Sequence, residues 1–301
     1  MKTYSHLLIA IDFTPFSRHA LREAVRISNV TGAALTAVHV MDEFLVHELK
    51  NALSLDEAGV LAEWQKQLRK FLDDSDLGTS HAQVEICVGH PYTELVSAAE
   101  RHHADLLIMG AKGSIQEPGR VGAIAAKCVR KAPLDVLLVR EDSRGPFRRI
   151  VTCTDFSDSS ANAEQCALSL ACMDSAALDC VYVYQTPLVM MYDYGGMGAS
   201  TPYVPDPKDA DVWRSALNDE VGKLRATAPQ LAIEPVFIEG IGVREGIIAH
   251  VLSAKAELVV LSTRGKSGLR EMLIGTTAEA IISHAPCSIL AVKPNEKSLQ
   301  A

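Results

Sequence analysis

A short run of glycine and hydroxyl side chains near the end of the chain has the composition of an anion-binding loop. The segment LSTRGKSGLREMLIGTT, residues 261–277, contains Gly265, Gly275, Thr276 and Thr277. Glycine lets backbone N–H groups approach phosphate oxygens closely, and threonine hydroxyls add further donors. A helix that begins near Gly275 would add the positive end of its dipole. The spacing therefore predicts a site for phosphate groups.

The segment is not a P-loop. Its Gly265-Lys266-Ser267 run matches the end of that motif, but the glycine that should begin the motif falls on Val260, inside the apolar run ELVVL. Such a run is typical of a buried strand. The sequence shows no Ser/His/Asp or Cys/His set and identifies no catalytic residue. It leaves enzymatic activity open, and any turnover should be slow.

An internal repeat organises the chain. The run HLLIAIDFTPF at 6–16 matches RIVTCTDFSDS at 149–159, ADLLIMGAKG matches AELVVLSTRG, and APLDVLLVR matches APCSILAVK. Three matched blocks in the same order indicate duplication. The charged Gly-Pro stretch REDSRGPFRR between them is typical of a linker. We therefore predict two domains, residues 1–143 (the first half) and 144–301 (the second half).

Each half alternates short apolar runs with amphipathic segments. In the first half, strands are predicted at 6–11, 34–40, 82–88, 105–109 and 135–139. Ser54 and Glu57 fit a capping box, and a helix follows on the spacing of Trp64, Leu68, Phe71 and Leu72. Continuous apolar strands separated by helices favour a parallel sheet covered on both faces. The predicted fold class is α/β, with two doubly wound, five-stranded parallel sheet domains.

Composition excludes several classes of function. The net charge of −8 and the absence of a basic block beyond FRRI argue against a nucleic acid partner. The apolar runs are too short to span a membrane or to form a signal peptide, so we expect a cytoplasmic protein. The seven cysteines are scattered without a CxxC pair, and His102-His103 has no second ligand cluster. Reduced thiols and no metal site are expected.

The glycine pattern of the second half resembles the ATP-binding signature of universal stress proteins, G-x2-G-x9-G-[ST] after the fourth strand. Both halves also have a first strand that ends in Asp before a helix rich in Ser or Thr, as in that family. The resemblance implies a Rossmann-like, adenine nucleotide alpha hydrolase-like fold and an ATP site, with or without magnesium. It places phosphates against the loop from Arg264 and the helix start, and the adenosine against Asp155 and Val183. The implied site residues are Asp155, Val183, Ser262, Arg264, Gly265, Gly275, Thr276 and Thr277, with Ser262 replacing the first glycine of the signature.

The first half departs further from this signature. Gly110 and Gly113 keep the opening spacing, but only eight residues separate Gly113 from Gly122, and Ala123 stands where the hydroxyl belongs. The loop between them, SIQEPGRV, carries a repelling glutamate and a proline that has no N–H. We therefore predict that the first half binds no ATP.

Two functions of different kinds follow from these features. The first is a stress-response or regulatory protein that binds ATP in its second half and has a structural first half. The alternative is an interaction module that binds no nucleotide, or a binder of another small ligand. Family resemblance suggests that the fifth strands, DVLLV and CSILAV, pair as an intramolecular pseudo-dimer, and a homodimer is a further option. Met and Tyr side chains at 186–212 suit a lid, a partner contact or a plain mobile loop.

Overall fold

The computed structural model describes residues 3–75, 77–112, 121–141, 145–185, 207–240, 242–265 and 274–294. The chain forms two compact units, one comprising Lys2–Gly145 with Cys287–Lys293 and the other Pro146–Pro286. The predictions for Gly113, for the loop that follows it, for residues 266–267 and for most of the 186–212 segment lie outside the described residues. The domain boundary at 143 stays a prediction.

Ten strands and nine helices are present in the described residues. The strands are β1 (His6–Ala10), β2 (Ala34–Met41), β3 (Gln83–Val88), β4 (Leu106–Gly110), β5 (Asp135–Val139), β6 (Arg149–Cys153), β7 (Ala177–Gln185), β8 (Ile233–Gly240), β9 (Leu258–Ser262) and β10 (Ser288–Val292). The helices are α1 (Pro15–Thr31), α2 (Glu43–Leu53), α3 (Glu57–Asp73), α4 (Pro91–Arg101), α5 (Ala123–Lys131), α6 (Asp158–Asp174), α7 (Pro207–Thr227), α8 (Val243–Ala254) and α9 (Thr276–His284). Each predicted strand of the first half is confirmed to within one residue at either end.

Strand order follows the doubly wound pattern in both units. In the first unit the parallel strands lie in the order β3-β2-β1-β4-β5, and in the second the order is β9-β6-β7-β8. The order reverses between β1 and β4, and again between β6 and β9. Ligands of such sheets bind outside the carboxyl ends of the strands at this reversal. The α/β fold class, with a mostly parallel sheet and alternating helices, is confirmed.

The last strand of the chain joins the first unit. β10 pairs antiparallel with β5, with Leu290 opposite Leu137, and both strands are completely buried. A parallel sheet leaves the backbone groups of its edge strand unpaired, and β10 satisfies those of β5. The predicted pairing of the two fifth strands is therefore found.

The capping box at Ser54 and Glu57 is wrong. Ser54 has φ 54° and ends α2, a helix that the sequence pattern did not predict. The cap of α3 is Asp56, whose extended backbone brings its carboxylate to the N–H of Gly59 at 2.8 Å. A left-handed residue cannot also serve as an N-cap, which needs extended backbone. The helix itself is confirmed, since Leu68, Phe71 and Leu72 are buried on one face of α3.

The described residues contain no helix that is long and apolar enough to cross a membrane. Within the same ranges, no group of three or more His, Cys, Asp or Glu side chains could hold a metal ion. All seven cysteines are free thiols.

Candidate functional site

A cavity of about 510 Å³ lies at the carboxyl ends of β6, β7 and β9. It is lined by all eight residues that the sequence singled out: Asp155, Val183, Ser262, Arg264, Gly265, Gly275, Thr276 and Thr277. These residues come from segments that are widely separated along the chain. The strand reversal between β6 and β9 brings them together, as the fold class predicts.

Asp155 is held by a tight turn at the end of β6. Its Oδ1 accepts hydrogen bonds from the backbone N–H and the hydroxyl of Ser157, at 3.1 and 2.5 Å. Ser157 and Ser160 cap α6 reciprocally. Phe156, which lies between Asp155 and Ser157, has φ 59°, which is uncommon for a bulky side chain. The turn therefore fixes the position of the Asp155 carboxylate before any ligand arrives.

Aromatic packing stabilises this left-handed residue. The Phe156 ring lies 4.8 Å from the ring of Tyr182 and 5.5 Å from that of Trp213. Tyr182 also lines the cavity, directly before Val183 in β7. Burial raises the pKa of the Tyr182 phenol, so its hydroxyl stays protonated at neutral pH. Sequence reasoning missed Tyr182, although the repeat matches it to another ring, His39.

The loop after β9 approaches Asp155 closely. A Cβ atom added to Gly265 would lie 2.6 Å from Oδ2 of Asp155, far inside van der Waals contact. Ser262 ends β9, and its hydroxyl accepts a hydrogen bond from the N–H of Arg264 at 3.2 Å. Glycine at 265 is therefore required by the contact between the loop and the carboxylate, whatever the cavity binds.

The start of α9 forms another wall of the cavity. Gly275 is the N-cap residue, and no side chain caps the helix. Its backbone (φ −61°, ψ 143°) suits any residue, and among the described residues an added Cβ would meet only the Thr263 carbonyl oxygen, at 3.9 Å. Neither its conformation nor the packing of the described residues explains this glycine. The first N–H groups of α9 and the hydroxyls of Thr276 and Thr277 form a set of hydrogen-bond donors at the cavity.

A smaller cavity of about 360 Å³ occupies the matching place in the first half. Asp12 lies there in a turn like that of Asp155, with Thr14 Oγ1 donating to its Oδ1 at 2.6 Å and Phe13 at φ 60°. The helix start, however, carries Ala123 and Ile124, which have no hydroxyl groups. The repeat therefore preserves the carboxylate turn and changes the helix start.

A buried carboxyl group lies beside Thr154 of the larger cavity. Glu164 on α6 is 1% exposed, and neither of its oxygens has a hydrogen-bond partner in the described part of the chain. Burial raises the pKa of Glu164 to about 8; the nearby Glu220 carboxylate adds to this rise, whereas the Thr154 hydroxyl and Lys223 oppose it. Glu164 is therefore protonated at neutral pH.

The repeat shows that this acidic pair is particular to the second half. The positions that match Thr154, Glu164 and Glu220 in the first half are occupied by Ile11, Leu21 and Phe71, all buried and apolar. Sequence reasoning missed the pair. The repeat contains a usable signal, because Leu21 of the first half is matched by Glu164 in an otherwise similar helix of the second half.

The Ser157→Ala change is expected to lower the free energy of unfolding by about 1 kcal/mol, because it removes the N-cap of α6. Thr14→Ala, which removes the N-cap of α1, should cost a similar amount. Urea denaturation of the two variants checks this. Equal stability of Ser157→Ala and the unmodified protein would show that the capping hydrogen bonds contribute nothing.

Comparison with known proteins agrees with this architecture. The model of the universal stress protein family matches twice, at residues 3–140 and 146–293. A universal stress protein of Mycobacterium tuberculosis is 25% identical over 297 residues, covering 95% of this chain and 96% of that protein. One from Methanocaldococcus jannaschii is 30% identical over 160 residues, covering 50% of this chain and 85% of that protein.

Solved structures show the same fold. The crystal structure of a universal stress protein from Archaeoglobus fulgidus superposes with a TM-score of 0.69 at 15% identity, covering 96% of this chain and 98% of that one. Two matches of the family model in one chain agree with the internal repeat. The chain therefore belongs to the universal stress protein family and carries two copies of the family's domain in tandem.

Proposed function

We propose that this protein is a stress-response or regulatory protein that binds one molecule of ATP in the cavity of its second half. The observation that carries the proposal is the uncapped start of α9 at Gly275, which lies with Thr276 and Thr277 on the same cavity as Asp155. Donors that converge on one wall suit phosphate oxygens. A carboxylate on the cavity suits the hydroxyl groups of a ribose, which donate hydrogen bonds to it.

The proposed binding mode assigns a task to each part of the cavity. The helix N–H groups and the two threonine hydroxyls would bind phosphate oxygens, with Arg264 supplying a positive charge. The Asp155 carboxylate, whose Oδ1 accepts two hydrogen bonds from Ser157, would also accept from the ribose hydroxyls. Val183 would pack against the base. A magnesium ion that accompanies ATP would be held chiefly by the phosphates and water.

One observation favours the alternative of an interaction module. Four large apolar side chains on and next to α2 are exposed: Phe44 by 71%, Leu45 by 41%, Leu53 by 50% and Leu55 by 40%. Grouped exposed apolar residues are typical of protein contacts. This function needs no nucleotide, so a binding measurement separates it from the first.

Titration of the full chain with ATP in a calorimeter tests the proposal, together with mass analysis of any nucleotide released when the purified protein is denatured. We expect one ATP per chain. The Trp64→Phe variant leaves Trp213 as the sole tryptophan, and its fluorescence should change with the same affinity because its ring lies 5.7 Å from that of Tyr182. Absence of heat and of a fluorescence change would favour the interaction module. Two equivalent sites would contradict the assignment to the second half alone.

A further inference from the structure

We propose that the cavity of the first half is a second binding site of different chemistry, one that takes a nucleoside-sized molecule without a polyphosphate. The proposal rests on the proposed function, because the repeat matches Asp12 and Val40 to Asp155 and Val183 of the ATP cavity. Both cavities lie within their own units, so each can be described and tested separately.

The walls of this cavity suit a flat apolar ring. Val38 and Val40 from β2, Met109 from β4 and Leu95 from α4 line it, together with Ile124 at the start of α5. Its volume of about 360 Å³ falls within the range of small-molecule sites, roughly 300–1,000 Å³. A mostly apolar lining with a few polar groups is the usual composition of such sites.

The polar groups suit a ligand with hydroxyl or amino donors. Oδ1 of Asp12 accepts hydrogen bonds from the backbone N–H and the hydroxyl of Thr14. Asp12 is an exposed residue that lines the cavity. His39 takes the place of Tyr182, and its Nδ1 lies 2.7 Å from the Ile11 carbonyl oxygen, which can only accept, so Nδ1 carries a proton. Burial lowers the pKa of His39, so the ring is neutral and adds no positive charge at neutral pH.

The side-chain hydroxyl donors of the ATP cavity are largely missing here, and Lys112 is the one charged donor among the described lining residues. The larger cavity is lined by seven hydroxyl-bearing side chains, namely Thr154, Ser160, Tyr182, Ser262, Thr263, Thr276 and Thr277. Among the described residues that line the first-half cavity, only Ser17 bears a hydroxyl, and that hydroxyl donates to the Thr14 carbonyl oxygen at 3.0 Å. Each hydrogen bond lost to a charged phosphate costs about 1.5–3 kcal/mol, roughly tenfold to a hundredfold in affinity.

The chain carries its own reporter for this cavity. Trp64 stacks on His39 with ring centroids 5.3 Å apart and an interplanar angle of 15°. The only other tryptophan is Trp213, which packs on Tyr182 of the second cavity. In the Trp213→Phe variant, fluorescence therefore comes from Trp64 alone, whereas Trp64→Phe leaves only the signal of the ATP cavity. Failure of the proposed function and failure of this inference thus appear in different variants.

The experiment titrates adenosine and ATP into the full-length Trp213→Phe protein and follows Trp64 fluorescence. We expect saturable binding of adenosine that is at least tenfold tighter than the binding of ATP. This is the reverse of the preference expected for the second-half cavity, which Trp213 reports. Asp12→Ala should weaken adenosine binding about tenfold or more, whereas Asp155→Ala should leave the Trp64 response unchanged. Asp12→Asn, which keeps an acceptor for Thr14, separates loss of charge from loss of the turn, and thermal melting verifies that each variant folds.

Three results would overturn the inference: no Trp64 response to millimolar adenosine, ATP binding as tightly as adenosine at Trp64, or a response that Asp155→Ala removes and Asp12→Ala leaves intact. Adenosine binding at Trp64 combined with no ATP binding at Trp213 would support the first-half site and refute only the proposed function.

Discussion

Replacing Gly275 with valine is expected to lower the affinity for ATP by roughly tenfold to a hundredfold, the effect of losing one or more hydrogen bonds to a charged phosphate. The backbone of Gly275 suits valine, and within the described part of the chain the nearest atom to an added Cβ is 3.9 Å away. The protein therefore tolerates the side chain, and the branched carbons occupy space at the helix start that a phosphate would need. Calorimetry with ATP measures the loss.

Gly122→Val is the matched control. Gly122 is the N-cap of α5 with nearly the same backbone (φ −61°, ψ 150°), and its N–H donates to the Ala111 carbonyl just as that of Gly275 donates to Thr263. Both substitutions replace an N-cap glycine, so both variants lose the same small contribution of that glycine to helix stability. We expect Gly122→Val to leave ATP affinity almost unaltered. Loss of binding in Gly122→Val but not in Gly275→Val would mean that the first half is the working site.

The Glu164→Gln change is expected to stabilise the protein at pH 8.5 by roughly 2–4 kcal/mol and to leave its stability at pH 5 almost unaltered. Each unit of pKa difference between the folded and unfolded states is worth about 1.4 kcal/mol. Burial raises the folded-state pKa of Glu164 from its ordinary 4.5 to about 8. The range is set below the full difference because a protein relaxes and admits water when a buried group ionises, which lowers the cost of the charge.

The direction follows from proton binding. Between pH 4.5 and about 8 the folded state holds a proton on Glu164 that the unfolded chain releases. The contribution of the protonated Glu164 carboxyl to the free energy of unfolding is therefore fully present below pH 4.5. It is lost as the pH rises through about 8. Glutamine imitates the protonated form at every pH and removes this loss.

Urea denaturation across this pH range measures the effect. Glu164→Leu, which installs the leucine found at the matching position of the first half, should stabilise the protein at high pH in the same direction. Glu48→Gln, at an exposed position on α2, is the control and should change neither stability nor its pH dependence. Parallel pH profiles for Glu164→Gln and the unmodified protein would show that Glu164 is not buried in its uncharged form.

Sequence alone determined the architecture and the composition of the candidate site. Strands buried on both faces appear as continuous apolar runs, such as DVLLV at β5, so their positions could be predicted to within a residue. Gly275 and Thr276 could be singled out because a phosphate site needs donors without an intervening side chain. The repeat identified Asp12 and Asp155 as partners because duplication preserves spacing within each block. ATP binding and the cytoplasmic location stay predictions.

Tertiary structure decided what the residues do to one another. Whether Gly265 is needed for a ligand or for the Asp155 carboxylate depends on how closely two segments more than 100 residues apart approach, since a Cβ added at Gly265 would lie 2.6 Å from Oδ2 of Asp155. Ser54 could be read as the start of one helix, and only its left-handed backbone shows that it ends another. In the sequence, Glu164 looks like an ordinary polar residue of α6. Helical periodicity tells which face of a helix a residue lies on, but it does not tell which side chains pack against that face. Glu164 becomes buried where α6 packs on β6 and β9, and that burial, which depends on segments distant in sequence, is the main cause of its raised pKa.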